Sequence, residues 1–380
     1  MPNQVYLRFN KKTLDRVPLP VAGQRATFHD IEVPGLQLRV TDRGVKSFCV
    51  FRRSHREYLA SRGVTVIAIK RKDGKVIEQP QLAPNAKLKA LTARDYVKVI
   101  AKALGDWRTE PIARITRDMV EERHHVLSQH SPVQANRAMG YLRALFVFAS
   151  DYRDSKGHAV IPDNPVRRLS AKRLWNRIER RTRYVEPEQL PDWWKAVQSL
   201  TNRPQYPSRE VLRDYLLLLL FTGLRRNEAL CLRWENVNLK RGTLCAVDTK
   251  NRLDHVLPMG RFLWDVLRRR REASNSEWVF ENPLTGKRIT DPHRQIVNVV
   301  AVSGVPFSPH DLRRTFASIV NRLSDRLSYY TTKRLLNHRT SDVTQGYVQF
   351  DLEQLRSAMQ AVEDFVLHTV EKPESGGAES

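Results

Sequence analysis

Seven consecutive apolar residues, Tyr215 to Phe221, stand in a chain whose lysines and arginines exceed its carboxylates by 24. No surface helix tolerates such a run. It is also far too short to cross a bilayer, which takes about 20 residues. It therefore reads as a buried helix around which a globular core must form, and Gly223 supplies its left-handed stop. With 380 residues, 41% of them apolar, the chain is long enough for two or three such cores.

The positive excess constrains the partner. A net charge of +24 makes a surface that attracts polyanions, nucleic acid first and anionic membrane second. The last thirty residues run the other way, with Glu353, Glu363, Asp364, Glu371, Glu374 and Glu379 outnumbering Arg356 and Lys372, so that segment is not expected along DNA. Cys49, Cys231 and Cys245 fit neither a disulfide framework nor a zinc spacing, and the N-terminus shows no secretory apolar stretch. A soluble protein of a reducing cytoplasm, associated with a bacterial nucleoid, is the expectation.

Patterning predicts a mainly α chain with small β elements. Residues 1–82 read as a β-rich module. Gly35 to Thr41 alternates apolar and polar, Asp42-Arg43-Gly44 turns, and Ser47 to Phe51 resumes a strand. A second hairpin is predicted from Val64 to Ile77 about Asp73-Gly74, with Gln79 to Pro84 as a linker. Residues 83–176 read as a helical block. Thr92 and Thr116 are expected to cap helices, and Ser131-Pro132 opens another in which Ala138, Leu142, Leu145 and Ala149 share a buried face. Asn164-Pro165 is expected to end that block.

A basic connector follows, including Arg167, Arg168, Lys172, Arg173 and Arg183, and is read as a strap across a DNA backbone. Arg137 and Arg143, off the buried stripe of their helix, are further candidates for phosphate contact. Residues 177–370 read as a mixed α/β domain, with a hairpin from Thr243 to Leu257 carrying Lys250 at its tip. Helices are expected near Arg261, Asp291, Ser308 and Tyr329 and after Asp351, and 371–380 as a disordered acidic tail.

Six side chains of this last domain form a kit for phosphoryl transfer. In Ser308-Pro309-His310-Asp311 a capping box starts a helix, so His310 and Arg313 fall on one face of its opening turn, where free N–H groups favour an anion. Arg225 follows Gly223 out of the buried helix. Its planar fork matches two phosphate oxygens, and Glu228 three residues on is placed to brace it. Lys250, His338 and Tyr347 complete the set. A free phenol has a pKa near 10, and neighbouring cations would favour the phenolate as nucleophile.

Taken in order, FTGLRRNEAL, the Thr249-Lys250 hairpin tip, HDLRRTFAS, LLNH and the tyrosine nine residues beyond it resemble the tyrosine recombinase (phage integrase) family over about residues 184–350. The resemblance implies that Arg225 and Arg313 clamp a scissile DNA phosphate and Lys250 protonates the departing 5′ oxygen. It further implies that His310 serves in proton transfer, that His338 binds a non-bridging oxygen, and that Tyr347 forms a 3′-phosphotyrosyl link. It implies no metal or nucleotide cofactor.

ANRAMGYLRALFVFA resembles the family's core-binding domain, and DIEVPGLQLRVTDRGVKSFCVF the small β module that prophage integrases use on arm-site DNA. The implied partners are double-stranded attachment sites, three further protomers of a tetramer, and an accessory DNA-bending or directionality protein. Asn337 departs from the pattern, standing where glycine is usual, and asparagine tolerates the left-handed backbone next best. After Tyr347, a stripe of Leu352, Leu355, Met359, Val362, Val366 and Val370 implies a helix inserted into a neighbouring protomer. The alternatives are a chromosome-dimer resolvase of the same family, a type IB topoisomerase, or a DNA-binding regulator without catalysis.

Overall fold

A computed structural model describes residues 5–371 apart from 32–36, 45, 50, 71–75, 110, 111, 152–158, 160, 162, 203–207, 248, 250–252, 291, 326, 328 and 338–351. Lys250, His338, Tyr347, the Asp73-Gly74 turn and the acidic tail beyond Glu371 lie outside the described residues. The chain divides between Arg180 and Arg181 into two compact units.

The first unit begins with β1 (Val5–Leu7), α1 (Lys11–Asp15), β2 (Arg25–Asp30), β3 (Gln37–Thr41) and β4 (Lys46–Cys49). These strands form a sheet in that order, β1 parallel to β2 and the rest antiparallel. Phe28, Leu38 and Val40 fill a small core beneath it with Val17.

The strand expected to run to Phe51 gives way instead to α2 (Phe51–Ala60). Its buried His55, Tyr58 and Leu59 recur at helical spacing, three and four residues apart. β5 (Val64–Lys70) and β6 (Val76–Leu82) then pair as the predicted hairpin. Gln79 to Leu82 belong to β6 rather than to a linker. Pro80 is tolerated there because a two-stranded ribbon consists of edges only.

The helical block is α3 (Ala90–Ala103), α4 (Arg117–His130), α5 (Pro132–Ala149) and α6 (Arg167–Ala171). Thr116 caps α4 by accepting from the Met119 amide, and Ser131 caps α5 through Gln134. Thr92 does not cap α3, which starts earlier, after Lys89. Ala138, Leu142, Leu145 and Ala149 are buried as expected, in a core shared with Tyr58, Leu59 and Val64. Asn164 does not stop the block. Its amide bridges the Arg143 carbonyl and the Val166 amide, and Val166 and Leu169 enter the same core.

The second unit comprises α7 (Leu190–Gln198), α8 (Arg209–Thr222), α9 (Arg226–Leu230), β7 (Val237–Asn238), β8 (Thr243–Ala246), β9 (His255–Pro258), α10 (Arg261–Glu272), α11 (His293–Ser303), α12 (Pro309–Arg322), α13 (Tyr329–Leu335) and α14 (Leu352–Glu371). β7, β8 and β9 form one antiparallel sheet. Every residue of the Tyr215–Phe221 run is buried, and α8 forms the axis on which α7, α10, α12 and α14 pack.

Within this single chain the C-terminal stripe packs against its own domain. Leu355, Met359, Val362 and Val366 join the core of the second unit, α14 lying against α7, α8, α12, α13 and β9. The reason is complementary. Glu363, 1% exposed, accepts the amides of Phe262 and Leu263 at 2.8 and 3.0 Å, closing the N-terminus of α10, while Gln360 accepts that of Arg261.

Burial pushes the Glu363 carboxyl above its usual range, against the pull of those amides. Its contribution to stability is therefore present at low pH and declines as pH rises through its raised pKa. Glu363→Ala leaves two buried donors without an acceptor and is expected to cost about 2–4 kcal/mol in chemical denaturation. An unchanged midpoint would remove the cap from the account.

Candidate active site

Three segments far apart in sequence meet in the second unit: the α8–α9 turn, the first turn of α12 and the end of α13. The meeting depends on Gly223. It caps α8 at φ +62°, and a Cβ placed on it would lie 2.4 Å from the ring of Phe316 on α12. Glycine alone lets the two helices approach this closely.

Arg225 emerges two residues later as the N-cap of α9. Glu228 accepts its amide at 2.9 Å and its guanidinium at 2.8 Å, so the expected brace is present. The Glu228 side chain is 8% exposed. Burial raises its pKa, but the Arg225 amide and guanidinium outweigh this and hold it below the usual carboxylate range, ionised.

Arg313 lies on the first turn of α12 and is almost wholly buried. One guanidinium nitrogen donates to the carbonyl of Gly223 and another to that of Leu336. Burial, with the charge of Arg225 close by, lowers its pKa to about 10, which leaves it a cation at neutral pH. The two guanidinia are thus brought into one electrostatic neighbourhood, in which Glu228 opposes both charges.

His310 stands at the exposed end of the same turn. Burial of part of its ring, then Arg314 and Arg313, push its pKa down, so it is largely neutral at pH 7 and able to take a proton. The capping box of α12 is as predicted. Asp311 accepts the Ser308 amide and hydroxyl at 3.0 and 2.9 Å. Arg183 and Arg314 also bind Asp311, at 2.9 and 2.7 Å, and Val185 bonds Thr315, so the start of the domain lies along the helix presenting His310 and Arg313.

His255 was not among the expected residues. It is buried on β9 with Nε2 3.2 Å from the Leu335 carbonyl, and burial pushes its pKa down to about 4. A neutral ring donating to that carbonyl helps hold the end of α13. A lone histidine opening a strand carries no signal of this, because its partner is 80 residues away. Asn337 adopts the left-handed conformation expected of it, φ +48°. Its side chain donates to Thr249 Oγ1 at 3.1 Å.

In the first unit the candidate phosphate contacts divide. Arg143, Arg167 and Arg173 are exposed, Arg167 lying 4.0 Å from Asp163. Arg137 is half exposed and pairs with Asp95. Arg168 and Lys172 are held by Glu121 at 2.7 and 3.0 Å, Arg168 also by Asp118, and fasten α6 to α4. Among the described residues no group of histidines, cysteines and carboxylates could hold a metal ion, and no helix is long and apolar enough to cross a membrane.

Residues 183–354 match the phage integrase family model. The chain is 24% identical over 266 residues to prophage integrase IntF of Escherichia coli (strain K12), covering 68% of this chain and 54% of that protein. It is 28% identical over 160 residues to tyrosine recombinase XerA of Thermococcus kodakarensis, covering 40% of this chain and 56% of that one. The chain thus spans about half the length of these relatives. Its fold is similar to that of a lambda integrase tetramer bound to a Holliday junction, with a TM-score of 0.55, 18% identity and 80% of this chain and 79% of that chain covered.

Proposed function

We propose that this chain, whose residues 183–354 match the phage integrase family model, is a site-specific DNA recombinase integrating or excising a mobile element. The observation that carries the reading is the bond from Arg313 to the Gly223 carbonyl, which brings it to the turn where Glu228 braces Arg225, with His310 three residues before Arg313 on the same helix. Two guanidinia fixed before substrate arrives stabilise a phosphorane without reorganising.

In this mechanism the two arginines grip the non-bridging oxygens of the scissile phosphate, assisted by His338. Tyr347 Oη attacks phosphorus and its proton passes to His310. The bond to the 5′ oxygen breaks, and that oxygen takes a proton from Lys250. The 3′-phosphotyrosyl bond stores the energy of the lost linkage until a DNA 5′-hydroxyl attacks and releases the phenol. No step requires a metal or nucleotide.

Residues 1–82 are assigned to arm-type DNA, 83–176 to core DNA and 177–370 to catalysis, with 371–380 as an acidic tail. Arg143, Arg167 and Arg173 are the best placed of the first unit's cations for phosphates. Double-stranded attachment sites are the substrate, a homotetramer the working assembly, an accessory DNA-bending or directionality protein a further partner, and the cytoplasm the compartment.

The test is a covalent adduct on a suicide duplex nicked beside the cleavage position. Wild type is expected to accumulate it and Tyr347→Phe to form none. A variant that retains the adduct dismisses Tyr347 as nucleophile. Simple relaxation of supercoils with no exchange between two sites would point to a topoisomerase.

A further inference from the structure

We propose that Asn337 is a positioning residue that ties Thr249, the residue before Lys250, to the residue before His338. The inference deepens the function proposed above and rests on Lys250 being the acid that protonates the leaving oxygen.

Thr249, the residue before Lys250, is 1% exposed. Its hydroxyl accepts from Asn337 Nδ2 at 3.1 Å and donates to the Leu253 carbonyl at 2.8 Å, while its amide donates to the same carbonyl at 3.3 Å. The hydroxyl is therefore a relay joining Leu253 to residue 337. Asn337 in turn immediately precedes His338. Successive Cα atoms are about 3.8 Å apart, so one peptide unit separates each tied residue from a member of the catalytic set.

The neighbouring residues are held independently: Leu335 by His255 and Leu336 by Arg313. Three consecutive residues are thus fastened to three different segments. Ending α13 does not demand this. A left-handed residue at 337 would be supplied at least as well by glycine, so the backbone does not explain the amide. What the amide adds includes the bond to Thr249.

Asn337→Gly removes the tie and keeps the backbone. Thr249→Val removes the relay by another route, and Thr249→Ser keeps the hydroxyl. Each variant is compared with wild type in single-turnover cleavage of an ordinary suicide duplex and of one with a 5′-bridging phosphorothiolate, whose thiolate leaves without an acid. Asn337→Gly and Thr249→Val are expected to slow ordinary cleavage by about tenfold with core-site affinity unchanged. Thr249→Ser is expected to restore the rate, and the double variant to be no slower than either single one.

On the sulfur substrate the Asn337→Gly defect should vanish. Wild-type rates on the ordinary duplex for both Asn337→Gly and Thr249→Val, or a defect equally large on the sulfur substrate, would overturn the proposal. If Asn337→Gly fails to fold, Thr249→Val against Thr249→Ser decides it by the same readout. A wild-type protein that forms no adduct on either duplex would instead fail the recombinase reading, and this inference with it.

Discussion

Arg313→Gln is expected to slow covalent adduct formation by about a thousandfold, the scale on which removing one fixed donor or arginine from a phosphoryl or acyl transition state is felt. Glutamine is close in reach but carries no charge. The phosphorane would lose a cation held in a buried setting, where solvent screens it little. Because the native guanidinium also donates to the carbonyls of Gly223 and Leu336, the variant disturbs the α8–α9 turn and the end of α13 together. Chemistry must therefore be measured well below the variant's unfolding midpoint, with DNA affinity in parallel. Adduct formation within tenfold of wild type, in a folded and DNA-binding variant, would remove Arg313 from the phosphate clamp.

Gly223→Ala should lower stability by about 2–4 kcal/mol. Part is the left-handed backbone at φ +62°, which costs alanine roughly 1 kcal/mol. The larger part is overpacking, since the new methyl would sit 2.4 Å from Phe316, itself fully buried. Equilibrium denaturation of the variant gives the number. The same change must separate α8 from α12, and these carry the turn before Arg225 and the turn bearing Arg313. Cleavage is thus expected to fall more than stability alone would require. A variant with wild-type midpoint and rate would show that the close helix approach is dispensable.

Much of this architecture was legible because its signals are local. The apolar run of α8, its glycine stop, the Ser308 capping box and the Glu228 brace are each encoded within a few residues. So is the left-handed Asn337. The strand read through to Phe51 failed for the opposite reason. The β alternation before it masked the helical spacing of His55, Tyr58 and Leu59 behind it.

Convergence was hidden wherever partners are distant. Arg313 meets a carbonyl 90 residues upstream, His255 one 80 residues downstream, and Glu363 caps a helix that begins about 100 residues before it. An apolar stripe states that something must cover it, but not which copy of the chain supplies the cover. Likewise Arg168 and Lys172 announce positive charge in sequence, and only the fold reveals the carboxylate that engages them.

That α14 already rests on its own globule alters the thermodynamics of any trade between subunits. A borrowed helix would make the same contacts as the one given up, so the swap is nearly isoenergetic and bears only an entropic charge for association. Dilute subunits should then keep their helices to themselves. On the proposed function, a duplex that gathered several of them would raise effective molarity enough to tip the balance, and oligomer growth would follow occupancy of the nucleic acid rather than protein concentration.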